Sequence, residues 1–439
     1  MLKYNNNLGD IVDQCISKAK QSGATDVEVA LIKNTSETVS FRNKKLDESD
    51  RAENIGLSLT AYINKKKTSV SSSNLNKENL EKLIGRCIDA AKITPDDDFN
   101  SLPDKELFFK SSKELDLLDD THIENSKKIE YLKEAEEVAF KNPEIFNTNG
   151  SSFSESKTEV ILGNSKGFKN GYKTSNFTAY CEVVSKSNGN MERDYEYTSK
   201  RHFENLLKPV ELGSNAANFA IRKLKPQKIN TGKFTVIFDK RIAKNFLNYF
   251  SNAITGSSIY RGASFLKDKL NKKIFSENIN IIDRGDIERG NGSKYFDNEG
   301  VQIQNLSLVK KGVLNDYLID TYYGRKLNLS SNGRSGGTTN LYFENGDRNL
   351  KDLMNSNKKI FYIIETIGHG TNIVTGDYSV GAAGMMIENG EFAYPVSEVT
   401  IAGNLNDMFK RIVLANDLQF NYSTNSPSIL IEDITVAGK

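Results

Sequence analysis

Leu8, Ile11, Val12, Cys15, Ile16 and Ala19 recur at helical spacing, and the apolar residues that follow, Val27, Val29 and Leu31, alternate with polar ones. The first pattern is one stripe of an amphipathic helix and the second is one face of a half-buried strand. Gly23 stands between them where a helix C-cap belongs. Further strands are predicted over residues 38–41 and 55–63, and a second stripe follows: Leu80, Leu83, Ile84, Cys87, Ile88 and Ala91, with Asn76 as N-cap and Thr94-Pro95-Asp96 as the stop. Helix, strands, helix is the grammar of an α+β unit in which helices cover a mostly antiparallel sheet.

The grammar then repeats. After a linker over residues 95–103, a helix is predicted near 124–141. Strands follow at Thr158-Val160-Leu162 and Phe177-Ala179-Cys181-Val183, with turns at 164–167 and Asn188-Gly189, and a helix near 211–224 ends at Lys225-Pro226. A third segment opens with the strand pattern Phe234, Val236, Phe238, and Asp239 is placed to cap the next helix. Beyond it lie strands and Gly or Asn turns, a Gly/Ser stretch at 330–337 that reads as a mobile loop, and one more helix over 405–414. The expected architecture is therefore α+β with mostly antiparallel sheet and flanking helices, followed by a β-rich C-terminal part that is either barrel-like or a sandwich. Its expected segments are 1–100, 115–226 and 231–439.

Composition narrows the function. Lys+Arg numbers 59 against 57 Asp+Glu in 439 residues, so there is no electrostatic case for nucleic acid or an anionic membrane as partner. The densest basic run, Lys65-Lys66-Lys67, falls at a hairpin turn. Cys15, Cys87 and Cys181 all occupy apolar positions, which predicts buried, reduced thiols. No apolar run approaches the ~18 residues needed to span a bilayer, and MLKYNNNLGD lacks a leader's apolar region. The expected location is the cytoplasm.

Catalytic motifs are sparse. His122, His202 and His369 are far apart, with no H-E-x-x-H. Ser379, Asp377 and His369 are close in sequence, but position 377 is Asp where a nucleophile elbow requires Gly. The Gly333 to Gly337 stretch lacks the Lys-Ser/Thr of a phosphate loop, and Gly368-His369-Gly370 lacks the third glycine of a dinucleotide fingerprint.

Thr375-Gly376-Asp377-Tyr378-Ser379, then Gly381-Ala382-Ala383-Gly384, Glu388-Asn389-Gly390-Glu391, Tyr394-Pro395-Val396 and Thr400-Ile401-Ala402-Gly403-Asn404-Leu405, resemble the TldD/PmbA family. Arg193-Asp194-Tyr195-Glu196-Tyr197 with Ser199 and Arg201-His202 is similar to the middle segment of its PmbA (TldE) branch, and Ala91-Lys92-Ile93-Thr94-Pro95-Asp96 to the end of its first. The resemblance implies intracellular proteolysis of unfolded or flexible peptides by a heterodimer, with processing of a gyrase-targeting microcin precursor and degradation of an antitoxin as the associated functions. It also implies that the TldD-type subunit carries zinc on an H-E-x-x-x-H helix with a later cysteine, and that the TldE/PmbA-type subunit shares the fold without those residues. The comparable helix here, from Lys240 to Phe250, has neither His nor Glu, and no cysteine follows Cys181.

The resulting expectation is a chain with no catalytic residue and no metal or other cofactor of its own, which pairs with a zinc-bearing TldD-like subunit and with peptide substrates, and could pair with itself when isolated. Thr375, Gly376, Asp377, Tyr378 and Ser379 are the expected substrate or partner contacts. An autonomous metallopeptidase with unusual ligands and a non-enzymatic peptide-binding homodimer are the alternatives.

Overall fold

The computed structural model describes residues 5–439; Met1 to Tyr4, the start of the stretch read above for a leader, lie outside the described residues. The first half is built from α1 (Asn6–Gln21), β1 (Asp26–Arg42), β2 (Lys45–Ile63), β3 (Lys66–Ser72) and α2 (Lys77–Ile93). It continues with α3 (Asn125–Ala139), β4 (Ile145–Asn164), β5 (Lys169–Ser187), β6 (Asn190–Lys200) and α4 (Pro209–Ile221). The Asn76 side chain accepts from the Asn79 amide at 2.8 Å, closing the first turn of α2.

The two repeats share one six-stranded antiparallel sheet in the palindromic order β3-β2-β1-β4-β5-β6. The seam is β1 against β4, in register from Glu28 opposite Asn164 to Phe41 opposite Ser151. Residues 38–41 are not a separate strand. Residues 33–37 carry no apolar alternation, yet they pair on both sides, Glu37 with Arg51 and with Glu155, so the backbone ladder runs unbroken through them. Odd-numbered residues of β1 face the helices: Val27, Val29 and Leu31 pack with α1 and α2, and Val39 and Phe41 with α3 and α4.

Between those two cores Lys128 of α3 is fully buried, its ammonium 3.0 Å from Glu37 and 3.1 Å from Glu155. Burial pushes the Glu37 carboxyl upward, but the hydrogen bond and charge of Lys128 outweigh it and hold the group below its ordinary value. On the opposite face Ala30, Leu162 and Tyr172 meet Phe108, Phe109, Tyr295 and Phe296, which fastens the segment between α2 and α3 and the C-terminal part to the sheet.

The helices α3 and α4 touch at Gly213, where a Cβ would lie 2.0 Å from the Ala135 carbonyl oxygen. A Gly213→Ala variant must therefore force the helices apart. We expect a loss of about 2 kcal/mol, read as a lower urea midpoint, since overpacking a dense core has that scale; an unchanged midpoint would contradict so tight a crossing.

The C-terminal part runs β7 (Gly232–Phe238), α5 (Lys240–Ala253), α6 (Gly256–Tyr260), β8 (Ile281–Arg284), β9 (Leu306–Lys310), β10 (Val313–Leu314), α7 (Thr321–Leu327), β11 (Asn340–Phe343) and α8 (Leu350–Met354). It ends with β12 (Lys359–Ile367), β13 (Asp377–Glu388), β14 (Glu391–Asn404), α9 (Leu405–Met408), β15 (Val413–Leu414), β16 (Thr424–Asn425) and β17 (Ile429–Ala437). The order β14-β13-β12-β7-β17 is completed by a β14–β17 pairing, so five strands close a ring. A second sheet, β10-β9-β8-β11-β16, stands apart from the ring. The buried residues of α5, Ala243, Phe246, Leu247, Phe250 and Ala253, belong to the core that both sheets share.

Two expectations are corrected here. The Gly/Ser stretch 330–337 is an ordered loop, buried over residues 331–334, because the Arg334 side chain within it is fully buried against Asp283 at 2.7 Å. The helix expected over 405–414 is only α9; a 3-10 turn, Phe409–Arg411, follows, and Val413 and Leu414 then pair with Leu430 and Ile429. Their apolar spacing satisfies a strand edge and a tight turn as well as a helix. The three cysteines are buried and free, with burial pushing the Cys15 thiol up to about 11 and the Cys181 thiol up to about 12. Among the described residues no helix is long and apolar enough to cross a membrane.

Candidate functional site

Strand alternation decides which side chains leave the core of the central segment. With Phe177, Ala179, Cys181 and Val183 turned inward, Tyr180 and Glu182 must point to the other face. Arg193, Tyr195 and Tyr197 on β6 share that side of the structure, and α5 runs past them with Arg241, Lys244 and Asn245. The result is a hollow of about 500 Å³ between the central sheet, α5 and the β12 residues Ile364, Glu365 and Thr366. An adjoining hollow of about 450 Å³ is lined by Asn176, Ser199, Asn248 and Asn291, and shares Tyr197, Lys244 and Tyr422 with the first. The two make one groove along α5.

Its floor is a run of tyrosines. Tyr180 to Tyr195, Tyr195 to Tyr197 and Tyr197 to Tyr422 have ring centroids 5.4, 6.2 and 5.2 Å apart. Burial pushes the Tyr180, Tyr197 and Tyr422 phenols above their ordinary range, so they stay neutral hydrogen-bonding groups near pH 7. Asp194 is the hub of the charges, with Lys223 at 3.0 Å and Arg241 at 3.2 Å. Burial alone would raise the Asp194 carboxyl, but Lys223 and Arg241 overcome that and hold it low. Lys223 also reaches Glu365 at 2.7 Å, and Arg193 lies 3.7 Å from Glu182.

Lys244 differs from the other three cations. No carboxylate of the described residues lies within 4 Å of it. It sits over the Tyr422 ring, 3.2 Å from the centroid, with the Tyr197 hydroxyl 3.5 Å away. Burial, reinforced by Arg241, brings its ammonium down to about 8. Arg241 is itself incompletely satisfied, since its Nη1 is buried without a hydrogen-bond partner.

α5 faces this groove with a guanidinium, an ammonium and amides. Those groups do not suit zinc, which takes thiolate, imidazole or carboxylate ligands. Among the described residues one cluster has the donors for a cation, Glu37, His122 and Glu155, with ligand atoms within 4.8 Å of one another. Lys128 already lies between its two carboxylates.

Thr375, Gly376, Asp377, Tyr378 and Ser379 lie where the β12–β13 hairpin returns; its β12 strand supplies Glu365 and Thr366 to the groove. The Thr375 hydroxyl donates to Asp377 at 2.6 Å, and the Asn404 side-chain amide donates to the other Asp377 oxygen at 3.0 Å. Gly376 takes φ +84°, and a Cβ there would press on Asn404 and Asn406. Tyr378 is buried and stacks on Phe246 of α5 with ring centroids 6.0 Å apart, while Thr375, Asp377 and Ser379 are exposed. Both Asp377 oxygens are thus engaged outside any triad, and the Ser379 amide is bonded to the Gly370 carbonyl at 2.7 Å. His202 is buried, with Nε2 2.9 Å from the Asp116 carbonyl.

The groove tyrosines were not predicted as site residues. A signal for them exists: Tyr180, Tyr195 and Tyr197 put large aromatic rings on strand positions that alternation assigns away from the helices.

The sequence matches the family described as PmbA/TldA metallopeptidase along most of its length: domain 1 over residues 27–91, the central domain over 119–224 and the C-terminal domain over 231–438. It is 34% identical to a metalloprotease PmbA homolog of Haemophilus influenzae over 434 residues, covering 98% of this chain and 96% of that one. It is 33% identical to metalloprotease PmbA of Escherichia coli O157:H7 with the same coverage. A Bacteroides thetaiotaomicron crystal structure, assigned as a modulator of DNA gyrase, superposes with a TM-score of 0.93 at 29% identity, covering 99% of this chain and 100% of that one.

Proposed function

Since the chain belongs to the TldD/PmbA metallopeptidase family across all three of its matched domains, we propose that it is a non-catalytic, TldE/PmbA-type subunit. In this reading it pairs in the cytoplasm with a TldD-type subunit that carries the zinc, and its groove holds flexible peptides for that partner. The observation that carries the proposal is the side-chain chemistry of α5. Arg241, Lys244, Asn245 and Asn248 line the groove, and two cations there oppose binding of a third. Without a carboxylate on this helix there is also no general base for a metal-bound water.

What the groove offers suits a peptide. The second hollow is rich in side-chain amides, which can bond a backbone in either sense. The tyrosine run offers apolar faces with polar tips. Exposed Thr375, Asp377 and Ser379, with Gly376 and Tyr378 bracing them, are assigned to substrate or partner contact at the end of the same hairpin.

The test is to purify the chain alone and after co-expression with a TldD-type subunit, then measure mass, bound zinc and cleavage of an unfolded peptide. We expect a heterodimer, cleavage only in the joint preparation, and no stoichiometric zinc on the isolated chain. One tightly held zinc with chelator-sensitive cleavage by the isolated chain would establish the autonomous peptidase instead. That second reading rests on the metalloprotease names of the relatives. A stable homodimer that ignores the partner would favour the non-enzymatic alternative.

A further inference from the structure

Resting on that peptide-holding reading, we propose that Lys244 is a receptor for a peptide carboxylate, with the Tyr197 hydroxyl as its companion. The peptide would continue from there along the amide-lined half of the groove.

Charge pairing in the groove leads to this assignment. Glu182, Asp194 and Glu365 are each matched by Arg193, Lys223 or Arg241. Lys244 is left as a half-buried cation whose hydrogen-bond partner among the described residues is the Tyr197 phenol at 3.5 Å. An ammonium withdrawn from water without a counter-ion is unfavourable, and an incoming carboxylate relieves that at the one place where both hollows meet. A neutral phenol can donate a hydrogen bond to such a carboxylate; the Tyr197 hydroxyl lies beside the ammonium, and the Tyr422 hydroxyl is bonded to that of Tyr197. A second cation would be repelled, and a neutral amide would leave the ammonium uncompensated.

Titration gives a further mark. The groups facing Lys244 are Arg241 and Asn245 on α5, Tyr197 on β6 and Tyr422 before β16, with Asp194 and Glu196 beyond Arg241. The phenols stay neutral through pH 9. Because the free ammonium titrates near 8, carboxylate affinity should be level below about pH 7 and fall as pH rises through 8 and 9.

The carboxylate has two sources, a peptide C-terminus or an Asp or Glu side chain, and three fluorescently labelled probes separate them. These are pentaalanine as free acid, pentaalanine amide, and an amidated pentapeptide with one internal Glu. Binding to the full chain is measured by anisotropy, alone and with the TldD-type subunit. We expect the free acid or the Glu peptide to bind at least tenfold tighter than pentaalanine amide. The preference should vanish in Lys244→Gln and survive in Lys244→Arg, both with parental melting temperatures.

Whichever carboxylate-bearing probe wins identifies the source and supports the proposal. Equal affinity for all three probes, no detectable binding of any of them, or a preference that persists in Lys244→Gln overturns it. Heterodimer formation and joint cleavage are read separately, so the subunit assignment can stand while this one fails.

Discussion

Arg334→Met should cost the protein about 3–5 kcal/mol, the scale on which removal of one member of a buried ion pair is felt. Both Arg334 and Asp283 have fully buried side chains. The guanidinium donates to Asp283 at 2.7 Å, to the Gln304 carbonyl at 2.6 Å and to the Asn332 and Gly333 carbonyls at 3.0 and 3.1 Å. Asp283 in turn accepts from the Thr339 amide at 2.9 Å and hydroxyl at 2.7 Å. Methionine fills much of the volume but leaves a carboxylate without its cation and several carbonyls without donors.

The C-terminal part should therefore melt well before the parent, followed by near-ultraviolet circular dichroism on heating. A second variant isolates the cause: Asp283→Leu combined with Arg334→Met should recover part of the loss, because no orphaned charge remains. A single variant as stable as the parent would mean the pair is dispensable.

Lys128→Met should weaken the other end of the molecule by a similar 3–5 kcal/mol. Lys128 stands between Glu37 of β1 and Glu155 of β4, at the seam of the six-stranded sheet. The depressed Glu37 carboxyl makes its contribution at neutral pH and loses it as pH falls through the carboxylate range. The gap between parent and variant should thus be widest near pH 7 and narrow toward pH 4, which urea titrations at the two pH values will show. Zinc gives a second readout. With the ammonium gone, Glu37, His122 and Glu155 are free to act as ligands, so zinc should raise the melting temperature of the variant and leave the parent unmoved. Equal responses to zinc would show that Lys128 is not what fills the site.

The long helices α1 to α5 were legible because their stripes are uninterrupted, and α1, α2 and α5 begin at residues whose side chains cap them, Asn5, Asn76 and Asp239; the short helices of the C-terminal part carry too few residues for a stripe. The length of β1 was not, since residues 33–37 show no apolar alternation and are held by neighbours and by Lys128, which no local pattern encodes. The loop 330–337 looked mobile because its glycines and serines are permissive; Arg334 fixes it through Asp283, a partner 51 residues away. For the site, the chemistry of α5 could be read from its residues alone. The groove could not: Tyr180 and Tyr197 face each other across the β5–β6 hairpin, but Lys244 and Tyr422 come from distant places in the chain and reach them only through tertiary packing.

The palindromic sheet also sets a schedule for synthesis. β1 has its long partner edge satisfied only by β4, whose last residue, Asn164, pairs with Glu28. On a ribosome adding roughly 5–20 residues per second, the interval between the emergence of the two strands lasts on the order of ten seconds. Throughout that time the newborn β1–β2 hairpin presents an open row of amides and carbonyls, an invitation to wrong partners. A nascent-chain chaperone that shields strand edges should matter more to the yield of this protein than to that of a chain whose sheets close by consecutive hairpins.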